Sequence, residues 1–364
     1  MSAAYCYHGL LLLIDFFLLY LLWRDTFTSF LRFRVLAYSG GFAAVFFALV
    51  FSTLLDGHID RDLILHGLAW HGSFFLFASA FLMYRQRIDS KPRRLFPSLV
   101  LGFGCIYCGL AVDALLFEPT ALIIRETTIR TSKITKPMTI VFASDLHAER
   151  IGHYERWTLQ KIKEQNADLI LFGGDYLHGK TYDDELQLQK YQNLNRFFRE
   201  LDLQAPFGIY AVRGSLAHDW GPWTKMFADT KIIPCEHTFT EQIGEIRVTF
   251  LSMEETWQEP LPIPDEGREN QFRIIVGHSP RYAMATQEAD LLLAGHTHGG
   301  QVQIPLLGLP IITFSGDLPK KWATGITAMS NGATLIVSHG TGCSIMRIRF
   351  WCRPDFWVIR LVPE

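Results

Sequence analysis

This sequence has few charged residues for its length. Asp, Glu, Lys and Arg make up 19% of its 364 residues, whereas a soluble globular chain carries about 25%. The deficit is uneven, because residues 1–117 hold only 16 of the 70 charged residues but 16 of the 28 Phe. Apolar residues reach 49%, which excludes intrinsic disorder. We therefore expect a membrane-embedded first third joined to a soluble domain of ordinary composition.

A basic surface and a cysteine framework are also missing. The formal net charge of −2 gives no reason to expect nucleic acid as a partner. The six Cys are too few for a mini-protein built on disulfides. No C-x-x-C motif outside the apolar runs suggests zinc or redox chemistry.

Four long apolar runs occupy the first third of the chain. Each is close to the roughly 20 residues that an α-helix needs to cross the hydrocarbon core of a membrane. Two of the runs contain a carboxylate, Asp15 or Asp113, which we interpret as hydrogen-bonded residues of a bundle interior; a proton or ion pathway is the alternative. The runs are Tyr5–Trp23, Val35–Leu55, Ile64–Tyr84 and Leu95–Phe117. They predict an N-terminal bundle of four transmembrane helices over residues 1–117.

The loops between these runs predict their orientation. The first and third loops are rich in Arg and Lys, whereas the second carries three Asp against one Arg. By the positive-inside rule, the first and third loops face the cytoplasm. The fourth run then exits outward, so the sequence predicts a multi-pass protein of the cytoplasmic (inner) membrane with its C-terminal domain on the outer face. The basic stretch 125–136 after the last run argues against this orientation.

The pattern changes after a linker and leading strand at 118–137. In 138–364, short apolar runs alternate with amphipathic stretches, which indicates a layered α/β domain. Predicted strands cover Thr139–Ser144, Leu169–Phe172, Phe207–Val212, Ile246–Leu251, Phe272–Val276, Leu291–Ala294, Thr334–Ser338, Ile345–Phe350 and Phe356–Leu361. Predicted helices cover about 153–166, 183–202 and 281–288. Few helices separate the later strands, so we expect a mixed sheet or two sheets packed face to face.

Asp and His residues follow several of these strands directly. Sites assemble at the carboxyl ends of strands in open α/β sheets. Any one of these His is more simply explained as a structural residue, but an ordered set is not. Two carboxylates and four imidazoles suit two transition-metal ions a few Å apart, bridged by a carboxylate. The set is Asp145, His147, Asp175, His278, His296 and His298.

These motifs resemble those of the calcineurin-like metallophosphoesterase superfamily. The family pattern runs D-x-H, G-D, G-N-H-[DE], a lone His and G-H-x-H, and the resemblance covers roughly Thr139–Leu361. The segments G-H-T-H-G-G-Q at 295–301 and S-H-G-T-G at 338–342 are similar to a bacterial branch whose members are often attached to membranes. The resemblance implies a four-layer α/β sandwich, in which helices flank two mixed β-sheets.

The resemblance also implies two divalent metal ions, Mn, Fe or Zn. Carried over by motif, Asp145, His147 and His298 would hold one ion. Asp175 would bridge to the second ion, held by His278 and His296.

The third motif departs from the family pattern. This chain has Gly-Ser-Leu-Ala-His-Asp at 214–219, so the metal-binding Asn is missing and two residues are inserted. Ser215 is the candidate substitute ligand. His218 and Asp219 are the candidate catalytic pair, which would protonate the leaving group and orient the imidazole. Arg213 and His339 are candidate phosphate contacts, with a surface role as the alternative for each.

Together these features predict a membrane-anchored phosphohydrolase that cleaves a phosphoester or pyrophosphate bond with a metal-activated water. The membrane anchor favours a phosphorylated, lipid-linked or membrane-proximal substrate, with membrane lipids as partners. One alternative is the UDP-2,3-diacylglucosamine pyrophosphate hydrolase of lipid A synthesis, whose cytoplasmic substrate conflicts with the predicted orientation. A second alternative, motivated by the degenerate third motif, is a non-catalytic metal-binding sensor or scaffold.

Overall fold

The chain divides into two compact units, described here from a computed structural model. The first unit comprises Met1–Phe117 with Ile345–Arg347, and the second comprises Glu118–Ser344 with Ile348–Glu364. The structure describes residues 2–24, 61–85, 91–179, 184–257, 270–285, 288–310 and 318–364.

The first unit is helical in its described part. Helices α1 (Ser2–Arg24), α2 (Arg61–Arg85) and α3 (Lys91–Val112) correspond to the first, third and fourth apolar runs, and a π-helical turn follows at Asp113–Phe117. Among the described residues, one helical segment, Leu95–Thr120, is long and apolar enough to cross a membrane, with a mean hydropathy of 2.1. The second run, Val35–Leu55, lies outside the described residues. Of the predicted four-helix bundle, the structure thus supports one membrane span.

Asp15 is paired with a histidine of the neighbouring helix. Its carboxylate accepts a hydrogen bond from Nδ1 of His71, and both residues are buried. Nε2 of His71 lies 3.4 Å from Nδ1 of His8. Buried carboxylates are retained in apolar surroundings when they are paired in this way. The contact agrees with the interpretation of Asp15 as a hydrogen-bonded interior residue.

Two six-stranded mixed sheets form the second unit, as predicted. The first has the order β1-β14-β2-β3-β4-β5 and the second β12-β13-β9-β8-β7-β6. The strands of the first sheet are β1 (Ile123–Thr131), β2 (Met138–Ala143), β3 (Leu169–Phe172), β4 (Ile209–Val212), β5 (Ile232–Cys235) and β14 (Asp355–Pro363). Those of the second are β6 (Phe239–Ile243), β7 (Ile246–Phe250), β8 (Phe272–Val276), β9 (Leu291–Ala294), β12 (Gly325–Ala328) and β13 (Thr334–Val337). A separate two-stranded hairpin pairs β10 (Gln303–Ile304) with β11 (Leu309–Pro310).

The two sheets bury one shared core. Phe142 of β2 and Phe250 of β7 belong to the same buried apolar cluster. Helices α4 (His153–Lys163) and α5 (Asp184–Leu201) cover the outer face of the first sheet. Short 3₁₀ turns at Pro280–Met284 and Lys320–Ala323 cover the outer face of the second. Strands covered on both faces have continuously apolar sequences, as in β3 and β9, whose residues are all buried.

Two sequence predictions differ from the structure. Ile345–Phe350 is not a strand: only Phe350 forms an isolated bridge, with Val302. Its neighbour Arg349 is fully buried, and its guanidinium donates to the carbonyls of residues 339, 340 and 342, which bends the chain away from a sheet. The predicted helix at 281–288 is a single 3₁₀ turn, Pro280–Met284, while residues 286 and 287 are outside the described part of the chain. The edge strands β5, β6 and β12 were missed because they are short, four or five residues each, and partly exposed, so they form no continuous buried run.

Candidate metal centre

The six predicted ligands converge where the two sheets meet. They extend from the carboxyl ends of four parallel-paired strands, β2 and β3 in the first sheet and β8 and β9 in the second. They form two groups whose ligand atoms lie within 4.8 Å of one another. One group is Asp145, His147 and His298, and the other is Asp175, His278 and His296.

The first group brings three buried acceptors face to face. Nε2 of His147 and Nε2 of His298 are 2.9 Å apart. Oδ1 of Asp145 lies 3.4 Å from the His298 nitrogen and 3.8 Å from the His147 nitrogen. This oxygen receives no hydrogen bond from any described residue. Such atoms repel one another unless a proton or a cation lies between them.

The two imidazoles of the first group are in the form that metal ions bind. Burial lowers the pKa of His147 and of His298 well below the usual range for histidine, so both imidazoles are neutral at physiological pH. Burial also raises the pKa of Asp145 to about 7. Neutral imidazole is the form of histidine that binds metals. Two ligand atoms about 2.1 Å from one ion lie about 3.0 Å apart at an angle of about 90° and about 3.4 Å apart at a tetrahedral angle. The donor set therefore fits a divalent cation.

In the second group, a backbone carbonyl orients His278. Nδ1 of His278 donates to the carbonyl of Gly173 at 2.7 Å, which leaves Nε2 as the free acceptor, 3.4 Å from Oδ2 of Asp175. Fixing one ring nitrogen on a carbonyl is the usual way in which proteins orient a metal-binding imidazole. Burial alone would lower the pKa of His278, but the Asp175 and Asp145 carboxylates raise it to about 10. The surroundings of His278 therefore favour a positive charge beside Asp175, which a proton or a metal cation can supply.

Asp175 connects the two groups. Its Oδ2 lies 3.4 Å from Nε2 of His278 and 3.7 Å from Nε2 of His147. Burial opposes ionisation of Asp175, yet the neighbouring His278 and His147 hold its pKa well below the usual range. An ionised oxygen between two sets of nitrogen ligands is what a bridging ligand requires. The geometry agrees with the bridging role that the resemblance implies.

The ligands reach this arrangement through an unusual backbone. Five of the six have a positive φ, between 44° and 67°: Asp145, His147, Asp175, His296 and His298. This left-handed conformation costs a non-glycine residue about 1–2 kcal/mol, and strain of this kind concentrates at functional sites. Asp145 and His147, like His296 and His298, therefore reach the site from left-handed rather than extended backbone.

Two glycines allow the loops to approach closely. A Cβ on Gly214 would lie 2.1 Å from Oδ1 of Asp175, and one on Gly295 would lie 2.2 Å from Oδ2 of Asp145. Both distances are shorter than any van der Waals contact. The glycines beside the motifs therefore make room for the carboxylates of the site.

The third motif lies beside the bridging carboxylate. The backbone N–H of Ser215 donates to Oδ1 of Asp175 at 2.6 Å, and its hydroxyl lies 3.1 Å from the same oxygen. Ser215 thus holds the oxygen of Asp175 that does not face His278. Its role as a substitute metal ligand stays a prediction.

His218 faces the site with one nitrogen. Its Nδ1 accepts a hydrogen bond from the backbone of Gly179 at 2.8 Å, so the neutral ring carries its proton on Nε2. That Nε2 lies 4.0 Å from Oδ2 of Asp175, and the ring centroid is 4.3 Å from that of His147. Burial lowers the pKa of His218. A neutral imidazole that presents N–H to the site is arranged as a proton donor.

Asp219 does not pair with the His218 imidazole as the sequence suggested. Its carboxylate accepts three backbone N–H groups, those of Asp175 at 2.8 Å, Tyr176 at 3.0 Å and Gly214 at 2.8 Å. Burial raises the pKa of Asp219 to about 7, and the charge of Asp175 adds to this effect. Asp219 ties the loop after β3 to the loop after β4 and so holds Asp175 in place.

Arg213 and His339 are engaged within the protein. The Arg213 guanidinium donates to the carbonyls of Asp219 and Gly221. His339 is buried, and its ring contacts the carbonyl of Arg353 at 3.0 Å and the hydroxyl of Thr324. These contacts favour a structural role over the predicted contact with phosphate.

Sequence reasoning missed one histidine of the site. His178 groups with His147 and His218, and its buried Nδ1 finds no hydrogen-bond partner in the described structure. Its position three residues after the predicted ligand Asp175 is the only feature of the sequence that would have marked His178 as a candidate site residue. The ring centroid of Trp257 lies 4.4 Å from that of His296 in an edge-to-face contact. This contact restricts the orientation of the His296 imidazole.

Comparison with known proteins agrees with this geometry. Residues 138–300 match the family described as Calcineurin-like phosphoesterase. The chain is 30% identical over 265 residues to the uncharacterized metallophosphoesterase YkuE of Bacillus subtilis, covering 67% of this chain and 87% of that protein. It is 28% identical over 239 residues to phosphodiesterase YaeI of Escherichia coli, covering 62% of this chain and 83% of that protein. A dimetal phosphatase structure from Danio rerio aligns with 9% identity and a TM-score of 0.34, over 56% of this chain and 88% of that one; a likeness this low carries no inference.

The chain therefore belongs to the calcineurin-like metallophosphoesterases. It is a hydrolase of phosphoester bonds with a site for two divalent metal ions.

Proposed function

We propose that this protein is a membrane-anchored phosphohydrolase that cleaves a phosphodiester or pyrophosphate bond in a lipid-linked or membrane-proximal substrate. The observation that carries the proposal is the position of Asp175 Oδ2 between the two groups of histidines. The similarity to a protein named a phosphodiesterase favours diesters over monoesters. We assign one ion to Asp145, His147 and His298, and the other to His278 and His296, with Asp175 shared.

The residues around the ions have distinct tasks. When bound, the ions would neutralise phosphate charge and lower the pKa of an attacking water. His218 would donate its Nε2 proton to the leaving oxygen, since this nitrogen faces the site and the other is held by Gly179. Ser215 and Asp219 fix Asp175 from two sides, one through its carboxylate and the other through its backbone.

The hydrolase proposal is tested on the full-length protein in detergent. After removal of metal with EDTA, hydrolysis of bis-p-nitrophenyl phosphate should stop, and added Mn²⁺, Fe²⁺ or Zn²⁺ should restore it. Elemental analysis should find about two ions per chain. Absence of turnover with all three ions, together with stoichiometric metal binding, would instead support the sensor or scaffold alternative that the missing Asn motivates.

We also propose that the first unit anchors the protein as four membrane helices, with the second unit on the outer face. Support comes from the apolar segment Leu95–Thr120 and from the distribution of Arg and Lys between the apolar runs.

A reporter fused after Glu364 tests this orientation. Alkaline phosphatase, active only outside the cytoplasm, should be active there, and a cytoplasm-dependent fluorescent protein should stay dark. The reverse pattern would reject the outward orientation. It would favour the alternative hydrolase of UDP-2,3-diacylglucosamine, whose nucleotide-bearing substrate is cytoplasmic.

A further inference from the structure

The β10–β11 hairpin presents an apolar tip to solvent. Its residues 304–310 read Ile-Pro-Leu-Leu-Gly-Leu-Pro, without a charged side chain. Ile304 is 40% exposed, Leu306 89% and Leu307 66%. Single exposed apolar residues are common, but a turn is normally built from Gly, Asn, Asp or Ser. Three exposed apolar side chains at one turn therefore need an explanation.

The backbone at the tip strengthens this point. Leu306 has a φ of 68°, a left-handed conformation that costs a residue with a Cβ about 1–2 kcal/mol. Gly or Asn would adopt it more easily. A leucine at this position strains the backbone and exposes an apolar side chain to water. The cost of exposure disappears if the side chain is buried in an apolar environment while the protein acts on its substrate.

The hairpin is held against the metal-ligand loop. Gln303, the first residue of β10, donates from Nε2 to the carbonyl of Gly299 at 2.9 Å, directly after the ligand His298. Its backbone N–H donates to the carbonyl of Phe350 at 2.9 Å. With a rise of about 3.3 Å per residue, Leu306 lies on the order of 10 Å from Gln303. The base of the hairpin is therefore hydrogen-bonded to the ligand loop.

Positive charge lies next to the hairpin. β11 contacts the 3₁₀ turn Lys320–Ala323, in which Lys320 and Lys321 are exposed. This turn is also tied to the ligand loop, since the hydroxyl of Thr297 donates to the carbonyl of Ala323 at 2.7 Å. Apolar side chains flanked by lysines are typical of surfaces that enter the headgroup region of anionic membranes.

We propose that the tip formed by Ile304, Leu306 and Leu307 inserts into an anionic lipid surface and places the metal centre at the level of lipid phosphates. The inference rests on the proposed function, whose substrate class it narrows to phosphate groups carried by the bilayer itself. A bilayer suits the tip better than a second copy of the chain, because three side chains are far from the roughly 1,200 Å² of a stable protein interface. The apolar segment Leu95–Thr120 is continuous in the chain with the second unit, which ties that unit to any membrane the segment enters.

Insertion is tested with a fluorophore on the tip. Leu306→Cys, labelled with NBD, is placed as full-length protein in nanodiscs of phosphatidylcholine with phosphatidylglycerol. The matched control is Ile233→Cys on β5, an apolar residue that is 45% exposed and outside the hairpin. The parent protein treated with NBD gives the background from native cysteines. We expect lipids with a nitroxide near the glycerol to quench the label at 306 by about twofold or more, and the label at 233 much less.

Charge reversal completes the test. Lys320→Glu together with Lys321→Glu should reduce the quenching at 306 in anionic nanodiscs and change it little in neutral ones. Equal quenching at 306 and 233, or no quenching at 306, would overturn the proposal. A change at 306 that depends on protein concentration rather than on quencher lipid would also overturn it and identify a second copy as the occupant.

A kinetic comparison separates this inference from the proposed function. Leu306→Ser with Leu307→Ser should leave hydrolysis of soluble bis-p-nitrophenyl phosphate unchanged but reduce hydrolysis of a phosphodiester lipid in vesicles about tenfold. A protein that inserts at 306 but hydrolyses neither substrate would refute the proposed function and leave insertion standing. A protein whose activity on both substrates is unaffected by the two substitutions would refute the inference and leave the hydrolase standing.

Discussion

Replacing Asp175 by Asn is expected to lower kcat/KM for phosphodiester hydrolysis by about 10³-fold. Asn keeps the shape of the side chain and one oxygen that can accept from Ser215, so the fold should persist. It replaces Oδ2, the oxygen 3.4 Å and 3.7 Å from the His278 and His147 nitrogens, with an uncharged N–H donor that cannot bridge two cations. Loss of about 4 kcal/mol of transition-state stabilisation corresponds to about 10³-fold in rate.

Asp229→Asn is the matched control for this variant. Asp229 also has a left-handed φ, 55° against 56° for Asp175, but its side chain is 81% exposed. Initial rates at saturating Mn²⁺ should be unchanged in the control, and metal analysis of Asp175→Asn should find a reduced ion content. If Asp175→Asn keeps more than about a tenth of the activity, the carboxylate does not bridge the ions.

Replacing Asp219 by Ala is expected to destabilise the second unit strongly. Three buried backbone N–H groups would lose their acceptor, and each unsatisfied group costs about 1–3 kcal/mol. A total on the order of 5 kcal/mol predicts a fall of about 10–20 °C in the unfolding midpoint, given about 2–4 °C per kcal/mol for a unit of this size. Circular dichroism of the metal-free, full-length protein in detergent measures the shift.

Two further variants serve as controls for the effect of Asp219→Ala on stability. Asp168→Ala should cost much less, because the Asp168 carboxylate accepts the backbone N–H of Thr139 at 2.8 Å and, among the described residues, the side chain is not tied to a second loop in this way. Asp219→Asn should lie between the two, since the amide keeps one accepting oxygen. A fall in kcat for Asp219→Ala without any change in unfolding would contradict the structural role. It would restore the sequence-based interpretation of Asp219 as the partner of a catalytic imidazole.

The metal ligands could be predicted from the sequence because each follows a buried strand. β2, β3, β8 and β9 are apolar runs that end abruptly in Asp, His and Gly, and parallel pairing brings their carboxyl ends to one edge. Neither the recognition of these strands nor their parallel pairing depends on contacts with distant side chains. The family motifs then assign an order to residues that the topology already gathers.

The surroundings of the ligands could not be predicted in the same way. The three N–H groups that occupy Asp219 come from two separate loops, and sequence spacing does not show how loops fold over one another. His178 has no strand before it to mark it as a ligand candidate. The segment 345–350 alternates apolar and polar residues as a strand does, but the buried guanidinium of Arg349 finds its carbonyl partners in the loop 339–342 and overrides the pattern.

The strained backbone of the five metal-ligand residues with positive φ makes the stability of this protein depend on bound metal. Five strained residues and several buried, mutually repelling acceptors form a site whose cost is offset when cations bind. Binding that is selective for the folded state raises its stability with ion concentration. Cells short of the divalent metal that the site binds should therefore lose the protein itself to proteolysis, and not merely its turnover. The half-life measured by pulse-chase in metal-depleted and metal-replete medium should differ, and equal half-lives would contradict this coupling.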